Sequence, residues 1–246
     1  MTVFDPALNV TPASRPWLAS YPKGIPAEIG ALEHASVGQL FEDSCRKYAP
    51  KTAFICMGKT MTYAALDQAS AKVAAWLQAT GHKKGDRIAV MLPNVLQYPV
   101  VVMGILRAGM TVVNVNPLYT PRELEYQLKD SGASAIFVLE NFAATVQQVI
   151  ARTPLKTVAV GTMGDMLGLK GHIVNLVVRR IKKLVPAWAL PGHTPFKAIM
   201  AGPSDFRRED VGLDDIAFLQ YTGGTTGVSK GAVLLNRNVL ANGVQS

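Results

Sequence analysis

Between Arg87 and Val160 the chain alternates short apolar runs with helix-length segments, and this alternation restricts its fold more than any other feature. Residues 87–92 (RIAVML), 111–115 (TVVNV), 135–139 (AIFVL) and 157–160 read as strands. Residues 95–108, closed by Gly109, and 142–151 read as helices between them. A third helix opens at Thr120-Pro121-Arg122-Glu123. This is a capping box: the threonine hydroxyl accepts from the Glu123 amide, the glutamate carboxylate accepts from the Thr120 amide, and proline sits where no amide hydrogen is missed. That helix ends at Ser131-Gly132. Strands joined by single helices, each too apolar to leave a face in water, predict an α/β fold: a mostly parallel sheet with helices on both faces.

The flanks are less regular. Pro6, Pro12, Pro16, Pro22 and Pro26 mark residues 1–35 as an extended arm. Ser36 is placed to cap a helix over 37–49, followed by two short apolar segments (TAFICM and KTMTY) and an amphipathic helix over 64–80 that stops at Gly81. After Gly161 a glycine- and methionine-rich stretch leads to a helix-length block at 172–185, then a loop region rich in proline and glycine. Residues 214–221 resume as a strand, 232–235 (AVLL) form another apolar segment, and Asn236 is placed to cap a last helix over 237–246. The expected division is an arm (1–35), an α/β unit (36–210) and the start of a second sheet unit (211–246). The last helix reaches Ser246 without a stop signal, which reads as a truncation. With 49% hydrophobic and 17% charged residues in 246, the chain can bury a large core. Cys45 and Cys56 are too few for a disulfide framework, and no apolar run has a signal-peptide or membrane-spanning pattern, so the expected compartment is the cytoplasm.

One loop carries chemistry. Tyr221-Thr222-Gly223-Gly224-Thr225-Thr226-Gly227-Val228-Ser229-Lys230-Gly231 concentrates four glycines, three threonines, a serine and a lysine in eleven residues. Glycines let successive amides converge into an anion-binding nest, hydroxyls add neutral donors, and lysine adds a mobile charge suited to phosphate oxygens. The spacing matches neither the Walker A loop nor the dinucleotide G-x-G-x-x-G, and apolar segments stand on both sides. A polyphosphate cradle between two strands is the reading, against that of an ordinary polar hairpin tip.

This loop resembles the phosphate-binding signature of the adenylate-forming enzymes. MLPNVLQYPVVVMGILRAG, VVNVNPLYTPRELEYQLKDSGA and DIAFLQYTGGTTG are together similar to bacterial long-chain fatty-acid–CoA ligases, from about Trp17 onward. The resemblance implies a two-step reaction with ATP, Mg²⁺, a fatty acid and coenzyme A: acyl-adenylate and pyrophosphate form first, then the CoA thiol displaces AMP. It implies that Thr222, Gly223, Gly224, Thr225, Thr226 and Gly227 supply donors and that Lys230 contacts the leaving pyrophosphate, with Tyr221, Ser229 and Gly231 completing the loop. The fatty-acyl branch reads T-H-R-N where this chain has Leu235-Asn236-Arg237-Asn238, which puts the family histidine's role in question. The resemblance also implies that the metal-binding glutamate, the ribose-binding aspartate and the adenylation lysine lie beyond residue 246, so that the chain is an N-terminal portion, inactive alone. Alternatives are a non-catalytic nucleotide-binding or membrane-interaction module, or a ligase for another carboxylate class.

Charge narrows the partners. The 25 Lys and Arg against 17 Asp and Glu give +8. Residues 166–204 hold six cations (Lys170, Arg179, Arg180, Lys182, Lys183 and Lys197) and no acid, and without them the chain carries +2. In helical projection Ile173, Val174, Leu176, Val177, Val178, Ile181, Leu184 and Val185 share one broad face, with Asn175, Arg179, Lys182 and Lys183 opposite. This suits an interfacial helix on the inner face of the cytoplasmic membrane, at roughly 1 kcal/mol per cation near anionic lipid. It equally suits a surface helix packing that face on the sheet. The basic block lacks interleaved aromatics and Trp17, Trp76 and Trp188 are dispersed, which excludes nucleic acid as the expected partner. His34, His82, His172 and His193 form no metal-ligand spacing. No G-x-S-x-G elbow supplies a hydrolase nucleophile. Asn94, Asn114 and Asn116 follow strand ends, where ligand crevices lie, though turn formation is the plainer reading. A sheet edge over 217–235 invites pairing between two copies, a homodimer.

Overall fold

The computed structural model describes residues 18, 20–222 and 229–245. A hairpin pairs β1 (Thr52–Cys56) with β2 (Lys59–Thr62). The main sheet contains β3 (Arg87–Met91), β4 (Thr111–Asn114), β5 (Ala135–Leu139), β6 (Thr157–Gly161), β7 (Thr194–Pro195), β8 (Ile216–Thr222) and β9 (Lys230–Leu235). Their spatial order is β7-β6-β5-β3-β4-β8-β9, and all neighbours are parallel except β8 and β9.

The central strands are apolar throughout because both faces are covered. β5 is buried at every position, and in β3 only Arg87 is not. Alternate side chains serve opposite layers. Ile88, Val90, Val112 and Phe137 pack with α1 (Val37–Lys47), α2 (Tyr63–Ala79) and α3 (Gln97–Arg107). Ala89, Met91, Ile136 and Val138 pack with α4 (Pro121–Ser131) and α5 (Ala143–Val149). Where α2 crosses α3, only glycine fits: a Cβ on Gly104 would stand 2.6 Å from the Val73 Cβ and 2.8 Å from the Ser70 carbonyl oxygen. The expected caps form. Ser36 accepts from the Gln39 amide at 3.1 Å, and the Thr120–Glu123 capping box closes with Gly132 left-handed at φ 64° beyond the helix end.

Four expectations are corrected. Residues 211–246 do not begin a second sheet: Val112, Val113 and Asn114 leave an edge of β4 open, and Phe218, Leu219 and Gln220 pair with it in parallel. The block at 172–185 is helical only as α6 (Leu169–Leu176) followed by a wider π turn, Val177–Ile181. The region read as loop after Pro186 holds β7 and α7 (Phe196–Ala201), whose buried Phe196 and Ile199 anchor it on the sheet edge. Asn236 begins α8 (Asn236–Gln245), but its side chain turns away from that helix. It accepts from the Val37 amide at 2.9 Å and donates to the Asp215 carbonyl at 2.9 Å, tying the start of α1 to the entry of β8.

Candidate functional site

The phosphate-type loop springs from the β8–β9 hairpin. Thr222 pairs with Lys230 and Tyr221 with Gly231, so both ends of the loop are held by the antiparallel ladder. Gly223, Gly224, Thr225, Thr226 and Gly227 lie outside the described residues. At the mouth, the Ser229 hydroxyl donates to the Thr222 carbonyl at 2.8 Å, while Thr222 and Lys230 are exposed. Tyr221 is buried, and its ring lies over Gly231 so closely that a Cβ there would stand 2.9 Å from the ring carbon Cζ. Its phenol donates to Asp130 of α4 at 2.5 Å. Burial first, then the hydrogen bond and charge of Asp130, pushes the Tyr221 phenol well above its ordinary range. Tyr221 and Gly231 thus form the packed root of the loop, and Thr222, Ser229 and Lys230 its solvent side.

Beside that root, at the carboxyl ends of β3, β4 and β8, lies an open cleft of about 540 Å³, where ligands of parallel sheets ordinarily bind. Asn94, Tyr98, Asn114, Asn116, Tyr119 and Gln220 line it. The Tyr98 phenol donates to Asn114 Oδ1 at 3.1 Å, and Asn114 Nδ2 donates to Gln220 Oε1 at 3.0 Å. Burial raises the Tyr98 phenol above its ordinary range. The lining is therefore neutral, offering amide and phenol dipoles rather than charge. The asparagines divide between the two sequence readings: Asn116 makes a turn by accepting from the Leu118 amide at 3.0 Å, whereas Asn114 ties three elements together in the cleft. Tyr98, Gln220 and Asp130 carry no local signal in the sequence and join the site only through the fold.

The basic segment behaves differently from its helical projection. Only Gly171, Val174 and Val178 are buried, while Leu169, Ile173, Leu176 and Ile181 face outward. Arg179 donates to both carboxylate oxygens of the buried Glu140 at 2.7–3.0 Å, so its charge is neutralised. Arg180, Lys182 and Lys183 are exposed. Among the described residues no group of three His, Cys, Asp or Glu side chains could hold a metal ion, and no helix is long and apolar enough to cross a membrane.

The sequence profile of the AMP-binding enzyme family matches residues 41–246. A long-chain-fatty-acid–CoA ligase of Salmonella typhimurium is 51% identical over 230 residues, covering 92% of this chain and 41% of the relative. The ligase of that name from Haemophilus influenzae is 44% identical over 234 residues, covering 94% of this chain and 42% of its own length. The chain thus spans about two fifths of the curated relatives it matches. Among solved structures, a long-chain-fatty-acid–CoA ligase from Archaeoglobus fulgidus superposes with a TM-score of 0.72 at 26% identity, over 92% of this chain and 41% of its own. An anthranilate CoA ligase in complex with anthranoyl-AMP shares the fold at a TM-score of 0.69 and 20% identity, over 87% of this chain and 37% of its own.

Proposed function

The chain belongs to the AMP-binding enzyme family, and from that membership we propose that it supplies the phosphate-binding loop of an ATP-dependent long-chain fatty-acid–CoA ligase. The observation that carries this reading is the 51% identity with the Salmonella typhimurium ligase over 230 residues, beside a family match over 41–246 that contains the loop. In the proposed reaction a fatty-acid carboxylate attacks the α-phosphorus of ATP, pyrophosphate leaves, and the CoA thiol then displaces AMP from the acyl-adenylate. The loop's part is electrostatic. Amides and hydroxyls over 222–227 meet the β- and γ-phosphates, and Lys230 meets the charge that grows on departing pyrophosphate. The paired strands and the Tyr221–Asp130 contact, which hold the two ends of the loop, support this role. Mg²⁺, when bound, would offset the charge of the β- and γ-phosphates; among the described residues no group of three His, Cys, Asp or Glu side chains is gathered to hold it.

The reading extends to the inner face of the cytoplasmic membrane, where fatty acid is met. Exposed Arg180, Lys182 and Lys183 support peripheral contact there, with Arg179 withdrawn to Glu140. A chimera tests the ligase reading. This chain, replacing the matching portion of the Salmonella typhimurium ligase, is expected to sustain CoA-thioester formation from palmitate. A soluble chimera that binds ATP yet forms no long-chain thioester overturns it.

A further inference from the structure

The first half of the chain contributes a second element to the surface of α6. The β1–β2 hairpin turns at Met57-Gly58, and Lys170 at the start of α6 donates to the Met57 carbonyl at 2.5 Å, so the hairpin tip sits against the helix. Around this junction the side chains that water should disfavour are the ones left outside. Ile55 is 68% exposed, Leu169 87% and Ile173 64%, with Met57, Leu176 and Ile181 also exposed. Apolar residues scattered singly need no explanation, but these six stand on two neighbouring segments joined by the Lys170–Met57 contact.

Backbone conformation points to the same place. The hairpin turn has φ 50° at Met57 and φ 77° at Gly58, a two-residue turn in which Asn, Asp or Gly ordinarily fills the first position. A methionine held left-handed is strained, and its exposure means that core packing does not compensate. The other non-glycine residues with positive φ among those described are Met166 and Lys183, which flank α6 and its π turn.

We propose that the β1–β2 hairpin tip and the outward side of α6 form one composite surface that binds an anionic lipid bilayer. The inference rests on the peripheral contact proposed above for the basic segment and adds the hairpin to it. Lys51 and Lys59 are the only charged residues over 50–62, and 166–204 holds six cations without an acid, of which Arg179 is paired with Glu140. Cations surrounding outward apolar side chains complement anionic headgroups over an acyl layer. Two copies of such a surface would repel each other, which disfavours self-association as its use.

Co-sedimentation of the 246-residue chain with vesicles of equimolar phosphatidylglycerol and phosphatidylcholine, against phosphatidylcholine alone, tests this. Binding is expected only with the anionic vesicles. The pairs Ile55→Ser/Met57→Ser and Ile173→Ser/Leu176→Ser should each weaken it about tenfold, and Arg180→Glu/Lys182→Glu/Lys183→Glu by more. Thermal unfolding of each variant checks that the fold is kept. Ile55→Trp should shift its emission to the blue with anionic vesicles, and an unshifted emission overturns the proposal. If the hairpin pair binds like the parent chain while the α6 variants fail, the composite surface is wrong and contact through the basic segment stands. If all variants bind alike, both readings fall. A dimer that the hairpin pair dissociates would make the surface a contact between copies and also overturn the proposal.

Discussion

The phenol of Tyr221 donates to the carboxylate of Asp130 across 2.5 Å, joining the last buried residue of β8 to the final turn of α4. The residues on either side of this contact differ sharply. Tyr221 packs on Gly231, while the next residue, Thr222, is already exposed at the mouth of the loop. Tyr221→Phe keeps the ring and removes the hydrogen bond, so a loss of about 1 kcal/mol in urea unfolding is expected. Gly231→Ala should cost more, because its methyl has to displace the ring. If the contact fixes the loop, both variants also weaken ATP binding measured by calorimetry.

Gly104 fixes how closely α2 and α3 approach. Gly104→Ala raises helix propensity, yet it places a methyl against Val73 and the Ser70 carbonyl. Overpacking should win: a destabilisation of about 1–3 kcal/mol is expected by denaturant titration. An unchanged midpoint would show that the helices part without cost.

Arg107 is a buried cation held by Glu42 at 2.9 Å and Asp67 at 3.0 Å, with the Ser70 hydroxyl at 2.8 Å. Arg107→Met leaves the mostly buried Glu42 with only the longer contact to exposed Arg208 at 3.3 Å, and about 3 kcal/mol of stability should be lost. Adding Glu42→Leu should recover much of it, since an apolar pair needs no compensating charge. Comparing the single and double variants by chemical denaturation separates lost pairing from lost packing.

His82 is buried between the Ser134 and Thr157 hydroxyls at 3.1 and 3.0 Å, and burial lowers its pKa below 6.5. On acidification the unfolded chain therefore takes the proton first. The contribution of His82 is complete above pH 6.5 and is lost as pH falls below it, by up to about 1.4 kcal/mol per pH unit. His82→Gln should flatten the decline in unfolding free energy between neutral and mildly acidic pH. An identical slope in parent and variant would assign that decline to the carboxylates instead.

The central elements were legible in the sequence because their signals are local. Residues 135–139 form β5 without a shift in either boundary, and the Thr120–Glu123 box opens α4 where three-residue spacing places it. The reading of 221–231 as a phosphate cradle rests on composition, through the amides and hydroxyls that glycine and threonine offer an anion, and 223–228 lie outside the described residues. The cleft was half legible. Asn114 could be placed at a strand end, but its partners Tyr98 and Gln220 come from α3 and β8, and nothing in their local pattern marks them.

Amino-acid order by itself determined the central strands and helices and nearly where they begin and stop, and it gathered in one loop the glycines, hydroxyls and lysine on which the phosphate reading rests. Only the tertiary structure decided that β8 and β9 extend the first sheet, that Arg179 turns to Glu140, that Asn236 serves α1 instead of its own helix, and that α6 keeps its apolar side outward. The division has a physical cause. Periodicity and capping are set by backbone geometry within a few residues, whereas the face a helix buries and the partner a charge finds depend on groups brought together across long stretches of chain, 199 residues in the case of Val37 and Asn236.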